Sequence, residues 1–346
     1  MKKCLLVILF LFLIATPVSA QDYTQPETPA EVTDLLPHTT ISFQEDLWYV
    51  ICSAFGMLQP DILEAAKVAL SVIAAALLGT ILMNMQTQGK ETAQLITIVG
   101  ISCLLLSPAN TLITTAAETV TKISEYGKLL LPVMTAALAA QGGTVTSAAL
   151  YTATITFDAL LTSLITAVLL PMVYIYLILA VVQGAVGDDM MKRLRNLVKS
   201  LMTWTLKILL YVFTGYIGIT GVVSGTTDQS AVKAAKLTIS GMVPIVGSIL
   251  SDASEAVLVS AGVVKNSVGV AGLLVVIAIA IVPFLQIGLQ YLILKLTAAV
   301  CGLFGDKTVT ALVEDFSGAM GFLLGMTGSI CLVFLISVVC FLKGVG

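Results

Sequence analysis

Charged residues are scarce in this sequence. Only 11% of its 346 residues are charged, whereas 58% are hydrophobic, and the mean hydropathy is +1.03. A soluble protein of this composition would lack enough polar side chains to cover its surface. Most of the chain is therefore predicted to lie in a lipid bilayer, as an all-α, polytopic integral membrane protein.

The sequence also lacks the groups that enzymes use. The single histidine, His38, has no partner at the spacing of a metal site or of a base that activates a nucleophile. There is no Walker A motif, no Gly-x-Ser-x-Gly elbow and no pair of carboxylates within the apolar runs. The net charge of -3 is small and the basic residues are scattered, unlike those of a nucleic-acid-binding protein. We expect a protein that is not an enzyme and uses neither a cofactor nor a metal.

The N-terminus has the pattern of an export signal. Two lysines precede an apolar run from Leu5 to Ile14, and small residues follow where signal peptidase cleaves. This run is much shorter than the roughly 20 residues that cross a bilayer, so residues 1–20 are predicted to be a cleaved signal peptide; an uncleaved anchor is the alternative. Residues 21–46 are polar and proline-bearing, which predicts a flexible extracytoplasmic tether.

Helical periodicity begins after the tether. Apolar residues at helical spacing predict an amphipathic interfacial helix over 47–65. Six later stretches satisfy the requirement for about 20 predominantly apolar residues. These predicted spans are residues 66–85, 93–113, 157–182, 200–222, 268–290 and 319–342. The third and fifth belong to longer apolar runs, which allows tilted, kinked or broken helices.

Four prolines suggest an internal duplication. Pro132 and Pro171 are 39 residues apart, and so are Pro244 and Pro283. The stretches around Pro132 and Pro244 are short and rich in small residues, which predicts re-entrant or broken elements that protein or water shields. The second proline of each pair interrupts a long apolar run that ends at Gly-Asp. We interpret residues 127–223 and 239–342 as two membrane repeats after a transmembrane hairpin, 66–113.

Basic residues in short loops indicate the orientation. The strongest cluster comprises Lys192, Arg193, Arg195 and Lys199, so this loop is predicted to be cytoplasmic. With re-entrant proline elements, residues 86–92 and 305–316 are then inside, and both mature termini are outside. The two repeats would share one orientation; a full crossing by one proline element would reverse this relation.

Several polar residues and glycines are candidate functional positions. Lys295, with Gln286 and Gln290 one or two turns earlier, suggests a polar path through the membrane. Asp158 is a weaker candidate, because it is expected near the outer interface, where a carboxylate costs little. Two glycine faces favour close helix packing, within the monomer or with another subunit. They are Gly215, Gly218, Gly221 and Gly225, and Gly318, Gly321, Gly325 and Gly328.

Two segments resemble a known family. LLLPVMTAALAAQGG (residues 129–143) and ISGMVPIVGSILSDASEAVLVSAGVVKNSVGV (residues 239–270) are similar to segments of the stage III sporulation protein AE family. The likeness covers residues 50–346, and the tether lies outside it. It implies a multi-pass protein of the mother-cell membrane around the forespore, within a channel or secretion-like apparatus needed for late forespore development.

The resemblance also implies partners. They are the other stage III A-operon proteins, including ring-forming subunits and a cytoplasmic secretion-type ATPase, and stage II sporulation protein Q across the intermembrane space. The resemblance assigns no residue a role. Two alternatives stay open on the residues alone: a stand-alone secondary transporter, favoured by the repeats and polar residues, and a passive membrane scaffold.

Overall fold

The computed structural model of the protein describes residues 29–36, 43–85, 89–242, 247–304 and 307–343. Its account of side chains omits residues 217–266 and a few single positions. The predicted signal peptide, His38 and Pro244 lie outside the described residues.

Helices make up nearly all of the described chain, and these ranges contain no strand. The helices are α1 (Phe43–Met57), α2 (Gln59–Met85), α3 (Lys90–Ala140), α4 (Thr144–Leu164), α5 (Leu170–Val186), α6 (Asp189–Met242), α7 (Gly247–Leu303) and α8 (Lys307–Lys343). A short 3-10 helix, Ala30–Leu35, precedes α1, and a π-helical segment, Ile165–Leu169, joins α4 to α5. The all-α prediction is confirmed.

Five helices in the described ranges are long and apolar enough to cross a membrane. They are Gln59–Met85, Lys90–Ala140, Thr144–Val186, Ser267–Leu303 and Lys307–Leu342. All but one of the predicted spans fall within these helices, as expected of a multi-pass membrane protein. The exception, 200–222, lies in α6 and extends into residues whose side chains are not described, so it stays a prediction.

Helices α7 and α8 form the centre of the bundle. They pack against each other more extensively than any other pair, and α2 to α6 surround them. Fully buried side chains of α8, such as Phe316, Phe334 and Phe341, belong to one continuous hydrophobic core that includes α3, α4 and α5.

The helix ends beside the predicted cytoplasmic loops meet at one end of the bundle. Gln94 on α3 donates a hydrogen bond to Thr308 on α8 at 3.3 Å. A Cβ atom placed on Gly184 of α5 would lie 3.3 Å from the Ile98 side chain of α3. These contacts bring the ends of α3, α5 and α8 together, as the prediction of loops on one side of the membrane requires.

The outward face of α3 changes character along its length. Near its start, large apolar side chains are exposed: Ile96 is 65% exposed and Val99 is 48% exposed. From Thr111 to Lys128 the exposed positions are polar or charged, and they are Thr111, Thr114, Glu118, Thr121, Glu125 and Lys128. The last turns expose apolar residues again, with Leu129 at 54%. An apolar face suits lipid and a polar face suits water. We therefore expect the helix to leave the bilayer near Asn110, about 26 Å from Ala93 at 1.5 Å per residue.

Neighbouring elements support the same boundary. Tyr174 on α5 donates a 2.7 Å hydrogen bond to Asn110. From Tyr174 toward the α5–α6 turn, on the membrane side of this level, large apolar side chains such as Ile178 (60% exposed) face outward. Helix α1 exposes Trp48 (67%) and Phe55 (58%). Aromatic side chains of this kind are enriched where membrane meets water. The interfacial helix was predicted with residues 47–65, but the structure ends it at Met57 and begins α2 at Gln59.

The predicted break at Pro132 is wrong. Helix α3 contains both Pro108 and Pro132 and continues from Lys90 to Ala140. A proline removes one backbone hydrogen bond, and tertiary packing here compensates, because Leu130, Leu131 and Met134 are almost fully buried. The element around Pro132 is thus part of a long helix, packed in the bundle beyond the level of Asn110.

The second proline of each pair has its own local structure. Pro171 is the second residue of α5, which begins where the π-helical segment Ile165–Leu169 ends. This irregularity agrees with the kink expected in this long apolar run. Pro283 lies inside α7, which continues through it. The internal repeat stays a prediction.

Part of the predicted tether is docked on the bundle. In the 3-10 helix Ala30–Leu35, Val32 is 6% exposed and Leu35 is 3% exposed. Together with Met57 and Ala278, they line a cavity of about 190 Å³ beside α3. The tether was predicted from the average polarity of residues 21–46, which does not show these two apolar residues. They lie three positions apart and therefore face the same side of the short helix.

Candidate functional site

A cavity of about 710 Å³ lies between α6, α7 and α8, with Tyr176 of α5 at one side. It contains residues that the sequence had suggested for different roles: Lys199 of the basic cluster, Lys295 of the polar path, and the α8 glycine face. The bundle brings these together because α7 and α8 run antiparallel and α6 packs across both.

One wall of the cavity is an ion-paired cluster. The Arg195 guanidinium pairs with the Asp315 carboxylate. The Tyr176 hydroxyl donates a 3.0 Å hydrogen bond to the other oxygen of Asp315. The Arg195 and Asp315 side chains are only 11% and 13% exposed, so this pair is largely shielded from water. The cluster ties α5, α6 and α8 together near the α5–α6 turn.

Three lysines, Lys199, Lys207 and Lys295, contribute positive charge to the cavity. Among the described residues, Asp315 forms its ion pair with Arg195 and not with any of these lysines, although Lys199 is near enough to interact with it electrostatically. The Lys295 ammonium lies 5.9 Å from the centre of the Tyr291 ring, within the range of a cation–π interaction. Glu314 also lines the cavity, and Asp315 is neutralised by Arg195. The cavity is therefore net positive.

The α8 glycine face forms the floor of this cavity. A Cβ atom added to Gly321, Gly325 or Gly328 would meet only side chains, at 3.5 to 3.7 Å. At Gly318 it would lie 3.1 Å from the Tyr176 hydroxyl. These glycines keep space open more than they bring helices together. Tight glycine contacts occur elsewhere, at Gly79 against Thr97 and at Gly127 against Phe334.

The other glycine face is described only at its start. Gly215 on α6 has open space where a Cβ atom would be. The side-chain surroundings of Gly218, Gly221 and Gly225 lie outside the described part of the structure.

The structure does not join Lys295, Gln286 and Gln290 into one polar path. Gln286 donates a 3.1 Å hydrogen bond to Asp61 at the start of α2. Gln286 and Gln290 line a smaller cavity of about 150 Å³ with Asp61 and Glu64. Lys295 lies on the opposite side of α7, because nine residues from Gln286 correspond to about half a turn beyond two full turns.

Asp158 is a buried carboxylate in the bundle. It is 1% exposed and accepts a 2.7 Å hydrogen bond from the Ser124 hydroxyl of α3. Thr162 lies at hydrogen-bond distance from its other oxygen, at 3.5 Å. Helix α3 covers this face of α4, so the side chain is shielded by protein. Its level relative to the bilayer stays a prediction. Asp158 joins α3 to α4 inside the bundle.

The other two residues of the basic cluster are on the surface. Lys192 and Arg193 are exposed near the start of α6. Within the described ranges, no group of three His, Cys, Asp or Glu side chains is arranged to hold a metal ion.

Sequence reasoning missed Asp315, Tyr176 and Asp61. Residues 305–316 were predicted to be a loop, whereas α8 begins at Lys307, so Asp315 lies inside a membrane helix. One signal was present: Asp315 precedes Gly318 by three residues, which puts a carboxylate on the glycine face.

Comparisons with known proteins agree on one family. The family model described as "Stage III sporulation protein AE" matches residues 35–344. The chain is similar to the stage III sporulation protein AE of Bacillus subtilis (strain 168), with 24% identity over 301 residues, covering 86% of this chain and 75% of the relative. No solved structure matches the chain. The resemblance seen in the two proline-bearing segments is thus confirmed: the chain belongs to the stage III sporulation protein AE family.

Proposed function

We propose that this sporulation protein is a non-enzymatic membrane subunit of a secretion-like channel complex that links mother cell and forespore. Its place would be the mother-cell membrane around the forespore. The other stage III A-operon proteins and stage II sporulation protein Q are the proposed partners, with the cytoplasmic ATPase supplying energy. Membership of a stage III sporulation family supports this role.

The observation that carries the proposal is the length of α3. Its 51 residues correspond to about 77 Å, whereas the hydrocarbon core of a bilayer is about 30 Å thick. The polar face that begins at Thr111 lies on the part that extends beyond the membrane, and it includes Glu118, Glu125 and Lys128. A membrane protein that extends on one side offers partners a surface in the space between two membranes. We call this surface, the exposed positions Thr111 to Lys128 of α3, the α3 polar face.

The proposal is tested by reversing charges on the α3 polar face. In the sporulating host, Glu118→Lys combined with Glu125→Lys should reduce heat-resistant spores and the co-purification of partner subunits. The amount of the protein in the membrane fraction should stay unchanged, because both side chains are exposed. Glu91→Lys, exposed at the opposite end of the same helix, is the matched control for the charge change.

Two results would contradict the proposal. One is normal forespore development in cells that lack the protein. The other is gradient-driven solute uptake by the purified protein alone in liposomes, with no effect of the α3 polar face on spore formation. The second result would favour a stand-alone transporter.

A further inference from the structure

The cavity between α6, α7 and α8 is charged at one end and apolar at the other. Lys199, Lys295 and Glu314 lie toward the end that holds the α5–α6 turn, near the Arg195–Asp315 pair. Toward the other end the lining becomes apolar, with Leu210, Phe284 and Leu332. A ligand that matches both ends has an anionic group and a hydrocarbon part.

The size of the cavity suits a long apolar chain. On α8 the lining extends from Glu314 to Leu332, which corresponds to about 27 Å at 1.5 Å per residue. Gly321, Gly325 and Gly328 have no side chain of their own at three positions along this length. The cavity also opens outward, because Gly325 and Lys207 are exposed, and this exposed surface lies at the level of the bilayer. A membrane lipid can therefore enter from the side.

Charge selects among the lipids. Three lysines and one uncompensated carboxylate give the cavity an excess of positive charge, and basic pockets between transmembrane helices attract anionic headgroups. Lys207 lies about 12 Å along α6 from Lys199 at 1.5 Å per residue, and its long stem allows its ammonium to bend toward the same headgroup.

We propose that this cavity binds one anionic phospholipid, with its headgroup at Lys199, Lys207 and Lys295 and an acyl chain along the α8 glycine face. The inference is independent of the proposed function, since a lipid in this position would hold α6 against α7 and α8 in any membrane assembly.

Native mass spectrometry of the full-length protein in detergent tests the proposal, with phosphatidylglycerol and phosphatidylcholine as probes. Phosphatidylglycerol should bind more tightly than phosphatidylcholine. Changing all three lysines to glutamine should weaken phosphatidylglycerol binding on the order of 100-fold, because each lysine near an anionic headgroup contributes about a fivefold effect. Lys192→Gln with Arg193→Gln, on the same helix, should change binding less than about twofold, because neither side chain lines the cavity.

A second pair of variants tests the apolar part. Gly321→Leu combined with Gly325→Leu keeps all three lysines and fills the floor, so phosphatidylglycerol binding should fall at least about tenfold, since a bound chain would lose its packing surface. Gly100→Leu, on the lipid-facing side of α3 with open space around it, is the control. Thermal unfolding of each purified variant identifies those that fold.

Three outcomes would overturn the proposal. Equal binding of phosphatidylglycerol and phosphatidylcholine would remove the role of charge. An unchanged affinity in the folded triple-lysine variant would place the lipid elsewhere. Displacement of phosphatidylglycerol by millimolar inorganic phosphate, with no effect of the glycine variants, would make the cavity a site for a free anion.

Discussion

The contact between Gly127 of α3 and Phe334 of α8 allows a quantitative prediction about the bundle beyond the membrane. A Cβ atom on Gly127 would overlap the Phe334 ring, and Phe334 is fully buried. Relief of the overlap requires the ring or a helix to move within a packed core. Overpacking of this kind costs about 1–3 kcal/mol. Gly127→Ala also gains about 1 kcal/mol, because alanine favours helix more than glycine does. The net change should lie between no effect and a loss of about 2 kcal/mol.

A matched glycine on the same helix separates the two contributions. Gly100 has no atom within 4 Å of an added Cβ, so Gly100→Ala should stabilise the protein by about 1 kcal/mol through helix propensity alone. Denaturant unfolding of the full-length protein in micelles, followed by circular dichroism, measures both variants. The difference between the two free energies of unfolding is the cost of the overlap.

Replacing Phe334 with a smaller residue tests whether this overlap is the cause. In Gly127→Ala combined with Phe334→Leu, the overlap disappears, so the double variant should be about 1–3 kcal/mol more stable than the sum of its single changes. If Gly127→Ala stabilised the protein as much as Gly100→Ala does, α3 and α8 would not meet at this point. The assigned packing of the outer part of the bundle would then be wrong.

Three further predictions concern polar contacts and one helix end. Asp315→Leu should destabilise the protein by about 3 kcal/mol, because it leaves the shielded Arg195 unpaired. Arg195→Met combined with Asp315→Leu should restore most of that loss in the same unfolding assay. Equal losses in the two variants would contradict the pairing. Ser124→Ala should lower the free energy of unfolding by about 1–3 kcal/mol, because it leaves the buried Asp158 carboxylate with one fewer hydrogen-bond donor. The control, Ser163→Ala at an exposed position of α4, should change this free energy by less than about 0.5 kcal/mol. Gly187→Ala should lower the free energy of unfolding by about 1 kcal/mol, because the backbone at Gly187 is left-handed, with a φ of 75°. An added Cβ atom would meet no neighbour there, so the cost would come from the backbone alone. An unchanged unfolding midpoint would show that α5 ends differently.

The membrane helices could be predicted because long apolar runs have few alternatives. Residues 66–85 and 93–113 each lie inside one spanning helix of the structure. The prediction became wrong where apolar residues pack against protein instead of lipid. Leu130 and Met134 have the composition of a membrane element, yet they are buried against α7, where they lie beside Gly272 and Gly269. Composition alone does not distinguish these two apolar surroundings.

The candidate site was only partly predictable for a geometric reason. Lys199, Lys295 and Gly321 were each singled out from local patterns, but their common cavity depends on how three helices pack. Local patterns also grouped Lys295 with Gln286, although these two residues lie on opposite sides of α7. Asp315 was missed because it was assigned to a loop, and its partner Arg195 is 120 residues earlier in the chain.

The continuity of α3 has a mechanical consequence. Although it contains Pro108 and Pro132, α3 continues as one helix, so a tilt at one end moves the other end. A tilt of about 3° about one end of a rod of about 77 Å displaces the other end by about 4 Å. That distance is comparable to the shifts that repack helix contacts at subunit interfaces. Small rearrangements at the end of the bundle that holds Lys90 would thus become contact-breaking movements at Ala140, where α3 ends. The π-helical segment Ile165–Leu169, between α4 and α5, is an irregularity close to the expected membrane boundary. Bending at this segment would let α4 follow the tilt of α3 while α5 stays fixed in the membrane.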